Sequence, residues 1–413
     1  MRRIAWVLLL LFAFAVPWEY SLDLGEPLGN IARVLGLALL LVAVPALLQA
    51  GRMRTAGAMQ WMVLTLFLWF CCSYFWTIEP AATLEKMRAY FQEMMIVWLV
   101  WEFVESAEDW RGVVQAFVAG SWVLALLTLA NFRSAEAVVS GQIRFVAEGQ
   151  DPNDVARFLD LGFPLAALLL GSLPDKQRWA ARLLAAGYLP LGLVAVLLTA
   201  SRGGFLAAMI ALGGCALLLA KSHPKFLAAG VLAMPVLAAG LWAVIPAETF
   251  DRLATIPAQI ESGDLNQRLN IWDAGWHAFV RAPLMGSGAG TFTLASETSS
   301  LDTAHNSELS IVVAGGLCAL ALAAAVVTLA MRAAFKTRGA VRLALLTVLL
   351  VWFLASFVDT VEENRATWLL LGLIAVAGRL GGEDAKRLYA CFPMQKAAGE
   401  SVHSARPASG LAH

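Results

Sequence analysis

The sequence predicts an all-α polytopic membrane protein with about twelve transmembrane helices and one large outer loop. Composition is the first reason. Of 413 residues, 60% are hydrophobic and 15% charged, whereas a soluble domain carries roughly a quarter charged residues. The second is the arrangement of the apolar residues, which come in blocks long enough to cross a bilayer. Third, these blocks are apolar all round, whereas the helices of a large soluble bundle would each show one apolar face.

The predicted spans are 4–18, 31–48, 59–76, 89–104, 111–130, 155–173, 180–199, 203–220, 226–245, 306–331, 340–358 and 366–381. The first is short, follows Arg2-Arg3 and carries Ala13-Phe14-Ala15 near its end, so it resembles a signal peptide. We expect a retained anchor; cleavage would leave the remaining topology unchanged. With the N-terminus placed in the cytoplasm, 19 of the 30 basic residues but only 8 of the 30 acidic ones fall on the cytoplasmic side. That bias obeys the positive-inside rule and predicts both termini inside and an even number of spans. The chain then divides into spans one to nine (1–245), a periplasmic loop (246–305), spans ten to twelve (306–381) and a polar cytoplasmic tail (382–413). A second outer segment runs over 131–154. The cytoplasmic loops are short, so chemistry is expected on the outer side.

Net charge is zero and points to no nucleic-acid partner. Cys71, Cys72, Cys215, Cys318 and Cys391 form no disulfide framework, and there is neither a CxxC pair nor an HExxH motif, so no metal or cofactor is expected.

Ionisable residues near membrane spans are functional candidates by default, and here they gather at the outer span ends. Span six opens with Asp151, Pro152, Asn153, Asp154 and Arg157, and Asp160 lies one turn further in. Arg157 and Asp160 are three apart and can pair on one helix face; simple mutual neutralisation at a helix start is the plainer reading. Thr199-Ala200-Ser201-Arg202-Gly203-Gly204 joins spans seven and eight in a tight outer turn. Ser201 can cap the next helix, whose N-terminus favours an anion. An arginine there could snorkel to the interface, but its outer position runs against the charge bias and favours a functional role for Arg202.

In the large loop, Leu269, Trp272, Trp276 and Phe279 recur at the spacing of an amphipathic helix lying along the membrane. Asp273, His277 and Arg281 occupy another face, and a solvated charged surface is the expected role of His277. Gly286-Ser287-Gly288-Ala289-Gly290-Thr291-Phe292 follows no strand, so it implies no nucleotide fold. The loop closes with His305-Asn306-Ser307-Glu308. A histidine titrates near neutrality and can accept a proton from a hydroxyl nucleophile, and Asn306 could orient it.

Four elements resemble, in order, those of the O-antigen ligase and polymerase family, bacterial membrane glycosyltransferases acting on undecaprenyl-diphosphate-linked glycans. They are Asp151-Pro152-Asn153-Asp154, Ser201-Arg202-Gly203-Gly204, Arg268 with the Trp272 helix and Gly286-x-Gly288-x-Gly290, and His305-Asn306. One departure is Val312-Val313-Ala314-Gly315-Gly316, where the family often carries an acidic residue. The resemblance implies a multi-span lipid-linked-sugar transferase of GT-C-like type in the inner membrane. It also implies metal-independent, inverting transfer of a glycan to a lipid A-core or other glycan acceptor. Arg202 and Arg268 would neutralise the diphosphate leaving group through bidentate contacts, and His305 would be the base. Asn306, Asn153, Asp154, Arg157, Gly288 and Gly290 would bind substrate. A polymerase or a transferase to protein hydroxyls would share these motifs. A glycolipid transporter is the rival of another class; transporters commonly show internal repeats and helices broken at the midplane.

Overall fold

The computed structural model describes residues 1–26, 28–134, 138–139, 142–171, 179–222, 224–261, 268–298, 303–381 and 386–388. Gln267, His223 and the tail beyond Leu388, with Cys391, His403 and His413, lie outside them. So do Lys176 and Arg178 of the charge count. The described chain is helical apart from a two-stranded ladder in which Val138–Val139 pairs antiparallel with Gln142–Ile143.

Each predicted span coincides with one helix. These are α1 Arg2–Ala15, α2 Ile31–Ala50, α3 Ala58–Cys72, α4 Pro80–Phe103, α5 Ala107–Ser134, α6 Pro152–Leu170, α7 Trp179–Leu198, α8 Arg202–Ser222 and α9 Pro224–Val244. After the outer segment come α14 Ser307–Lys336, α15 Gly339–Ser356 and α16 Arg365–Arg379. Between them lie α10 Ala247–Ala254, α11 Ile256–Glu261, α12 Arg268–Arg281 and α13 Phe292–Ser296. Among the described residues, seven helical segments are long and apolar enough to cross a membrane. Others are shorter or more charged: α16 has 15 residues, and α6 holds Asp154, Arg157 and Asp160.

Those two helices are the inner ones. Almost every side chain of α6 is buried, and it packs against α5, α7, α8 and α15. Likewise α16 is buried from Ala366 to Ala377 against α4 and α14. Inner helices gain from small residues that let backbones approach. At Gly204 on α8 a Cβ would lie 2.3 Å from the Cβ of Ala156 on α6, so this contact exists only with glycine.

Two ends of the helix bundle are distinct. At one, Arg2 donates to Glu102 (3.0 Å), the Arg54 amide donates to the same carboxylate (2.8 Å), and Arg379 donates to the Trp101 carbonyl (2.6 Å). At the other, Arg365 pairs with the buried Glu19 (2.5 Å), and the α6, α8 and α14 starts meet. Arg2 and Arg379 therefore share one end, as an even number of crossings requires.

Helix α14 is interrupted. Gly316 has φ 67° and ψ −167°, which breaks the intrahelical ladder. The segment before α14 fills the break with its own main chain. Ser287 and Gly288 amides donate to the Val313 and Ala314 carbonyls (2.8 and 3.0 Å), and the Leu317 amide donates to Pro283 (2.8 Å). Trp69 on α3 donates to the Gly315 carbonyl (2.8 Å). The Gly315-Gly316 pair is thus the point where the loop docks.

One local expectation is corrected. Arg157 does not pair with Asp160: it donates to Asp154 on its own helix and to Asp359 (2.5 Å) beyond α15. Helical side chains lean toward the N-terminus, so the arginine reaches outward, away from Asp160. On α12 the face packed on α14 is Ile271, Gly275 and Ala278, and Leu269 and Trp276 of the apolar stripe are left exposed, as a helix lying along the membrane would leave them.

Candidate functional site

The site is built on the turn between α7 and α8. Helix α7 ends with Thr199 and Ala200 amides bonded back into its last turn, and Ala200 then adopts φ +48° although it is buried and has a Cβ. A left-handed conformation is costly for alanine. It turns the chain sharply enough for Ser201 to cap α8, its Oγ accepting from the Gly204 amide (3.2 Å). Two arginines from distant segments grip the turn. Arg144 Nε donates to the Thr199 carbonyl (2.9 Å) and Arg252 Nε, from α10, to the Ala200 carbonyl (2.8 Å). Cations belong at the carbonyl end of a helix, which carries partial negative charge.

Helix α6 joins from the other side. Asp151 caps it by accepting from the Asn153 amide (2.7 Å), and Asn153 Oδ1 accepts from Ser201 Oγ (2.8 Å) and from Arg144 (3.3 Å). The sequence elements 151–154 and 201–204 therefore meet.

Four guanidinium groups share this place. Burial, and then the charge of Arg252, pushes Arg144 down to about 10, with Arg268 and Arg202 adding to the effect against Asp151. Burial and then Arg202 lower Arg252. Burial lowers Arg268 too, opposed by Asp359 and Asp151. Among the described residues neither Arg202 nor Arg268 forms a salt bridge with a carboxylate, and Arg202 Nε is buried without a hydrogen-bond partner. Two cations without a paired carboxylate among the described residues, set close to further guanidinium groups, favour an anion here.

A cavity of about 550 Å³ opens beside them between α6, α8 and α15. Asn153, Arg157, Ser201, Arg268 and Asp359 line its polar part, and Leu206, Met209, Leu354 and Phe357 are among its apolar walls. Asp160 also lines it, buried, with neither carboxyl oxygen bonded among the described residues. One cavity thus offers polar groups at one end and an oily groove along two helices.

His305 sits at φ +45°, half-buried, with Nδ1 3.4 Å from Thr303 Oγ1. Asn306 does not orient it. Its Oδ1 caps α14 at Leu309 (2.8 Å) and its amide donates to the Phe357 carbonyl (3.2 Å). Ser307 donates to the Asp359 carbonyl (3.0 Å). The start of α14 is thereby fastened to the 357–359 segment that lines the cavity. Glu308 is engaged by Ser356 (2.7 Å). His277 is exposed on α12 beside Asp273 (3.5 Å). Gly288 and Gly290 are not among the cavity's lining residues. A Cβ at Gly288 would lie 2.1 Å from Thr77 Oγ1, and one at Gly290 2.8 Å from the Ala82 carbonyl oxygen. Among the described residues no three His, Cys, Asp or Glu side chains gather as a metal site.

Arg144, Arg252 and Asp359 were not singled out from sequence. The first two carried a readable signal: like Arg202, they are basic residues on the side that the charge bias empties of them. Asp359 carried none, being one of several acidic residues between two spans.

The model of the O-antigen ligase family matches residues 187–324, which supports assigning the chain to the O-antigen ligase and polymerase family. No curated protein matches the chain. A chain in a solved structure is similar at 15% identity and a TM-score of 0.42, with 78% of this chain and 96% of that one covered. That structure is described as showing structural coordination of polymerization and crosslinking by a peptidoglycan synthase complex.

Proposed function

We propose that this chain, assigned by that match to the O-antigen ligase and polymerase family, is an O-antigen ligase of the bacterial inner membrane. It moves a glycan from undecaprenyl diphosphate to a sugar hydroxyl of lipid A-core on the periplasmic face, with both of its own termini in the cytoplasm. The observation that carries this reading is that Arg202 and Arg268, neither of them in a salt bridge among the described residues, come together near Arg144 beside an apolar-walled cavity that Arg268 lines. A lipid diphosphate needs both parts: a cationic end for four phosphate oxygens and a groove for its isoprenoid.

In the reaction, the acceptor oxygen attacks the anomeric carbon from the face opposite the phosphate, so configuration inverts. The anomeric C–O bond to the diphosphate breaks, and its electron pair goes to the phosphate oxygen. Arg202 and Arg268 meet the charge that develops there, which supplies the role a divalent ion plays in other diphosphate chemistry. His305 takes the acceptor's hydroxyl proton. Asn153, Asp154 and Arg157 hold the cavity wall against which the donor lies.

A deletion strain tests the assignment through its lipopolysaccharide banding. Loss of all long glycan from the core, with lipid-linked polymer accumulating, is expected. Core carrying a single repeat would make the protein a polymerase instead. Unchanged bands would refute both, leaving a protein glycosyltransferase or a glycolipid transporter.

A further inference from the structure

We propose that Arg252 is a positioning residue, which holds the left-handed turn at Ala200 from which Ser201 and Arg202 are presented; this rests on the transferase reading above. Arg252 comes from α10, outside the membrane spans, and spends its Nε–H on the Ala200 carbonyl at 2.8 Å. Ala200 is buried and sits at φ +48°, a conformation that alanine does not keep unaided. Arg144 fixes the preceding carbonyl, so the two peptide groups before Ser201 are held from two directions. Everything proposed to touch the donor at this end follows directly: Ser201, bonded to Asn153 and capping α8, then Arg202 as the first residue of α8. A slip of this turn would move Arg202 while leaving the helices in place.

The alternative is that Arg252 is itself a phosphate ligand, and the two roles give different genetics. Glycine adopts positive φ readily, so Ala200→Gly relieves the strain that Arg252 restrains. In a purified, reconstituted transfer assay with lipid-linked donor, Arg252→Ala is expected to lower kcat about tenfold, and Ala200→Gly to leave activity near wild type. The double variant Ala200→Gly with Arg252→Ala should recover at least about threefold. In an Arg202→Ala background, Arg252→Ala should cost less than twofold further, because its effect passes through the residue already removed. Hydrogen exchange of the Ser201–Phe205 amides should rise in Arg252→Ala and fall back in the double variant, a readout that needs no transferase activity. Arg252→Lys, which keeps one donor, serves if the alanine variant folds poorly and should show the same rescue by Ala200→Gly. Losses that multiply independently in every background, with unchanged exchange, would overturn the proposal and make Arg252 a direct ligand. Absence of transfer by the wild type with the exchange pattern intact would instead refute the transferase reading and leave the positioning role standing.

Discussion

Arg202→Ala should separate activity from stability in an unusual direction. Most buried or half-buried arginines are fastened to carboxylates, and deleting them unfolds something. Arg202 forms no salt bridge among the described residues, and its Nε has no hydrogen-bond partner. Instead its charge presses on Arg252 and Arg144. Like charges repel, and the partial exposure of Arg202 screens the effect, so its charge works against the folded state only weakly. Removing it should therefore leave the melting temperature of detergent-purified protein unchanged or raised by a few degrees. Transfer should fall by roughly a hundredfold, the loss of about 3 kcal/mol expected for one transition-state electrostatic contact. Arg202→Lys should recover little, because an ammonium lacks the two-point fork. The assay is turnover of lipid-linked donor beside a thermal melt of the same preparation. A variant that loses activity and stability together would show that Arg202 is a structural residue and that the argument from missing counter-charge is wrong.

Arg157 should behave in the opposite way: it is buried between Asp154 and Asp359, so Arg157→Ala should destabilise by about 3–5 kcal/mol, and Asp359→Asn added to it should restore part of the melting temperature. His305→Ala should reduce transfer by roughly 100- to 10,000-fold, whereas His277→Ala, exposed on α12, should retain most of it; near-normal turnover in His305→Ala would mean another base. At Gly316 a new Cβ would stand 2.2 Å from the Leu284 carbonyl group at a positive φ, so Gly316→Ala should lower stability by about 2–5 kcal/mol, checked by the same melt. Burial, and then Glu363, raises Glu362 on the turn after α15 to about 7. A raised carboxyl favours the folded state fully below its ordinary value near 4.5 and loses that contribution as pH rises through 7, by up to about 3 kcal/mol. The wild type should then melt lower at pH 8 than at pH 5, and Glu362→Gln should flatten the difference.

The helices were legible because apolar length is a local property, and every predicted interval met one. The membrane-facing faces were less so. On α12 the aromatic spacing suggested a helix lying along the membrane but not which residues meet the bundle; the structure buries Gly275 and Ala278, where α14 comes too close for a large side chain. In the site, Asn153, Ser201 and Arg268 line one cavity although they lie far apart in the chain. What the sequence could not convey was which partner each polar group takes. Asn306 was read as a guide for His305 and is instead spent on the α14 cap and the Phe357 carbonyl. Arg144 and Arg252 reach the 199–200 turn across more than fifty residues, a separation over which no periodicity carries information.

The break in α14 bears on how the protein is assembled. A helix interrupted at Gly316 leaves carbonyls at Val313, Ala314 and Gly315 without their intrahelical donors, and in hydrocarbon each orphan costs several kcal/mol. The donors come from Ser287, Gly288 and Trp69, all earlier in the chain. As α14 leaves the ribosome, its caps have already been made. Stable packing of this span thus waits on the preceding segment and on docking to the Trp69 helix. A mutation far from any span, such as one at Gly288, would then be felt first as failed packing and low abundance, before any defect in turnover could be measured.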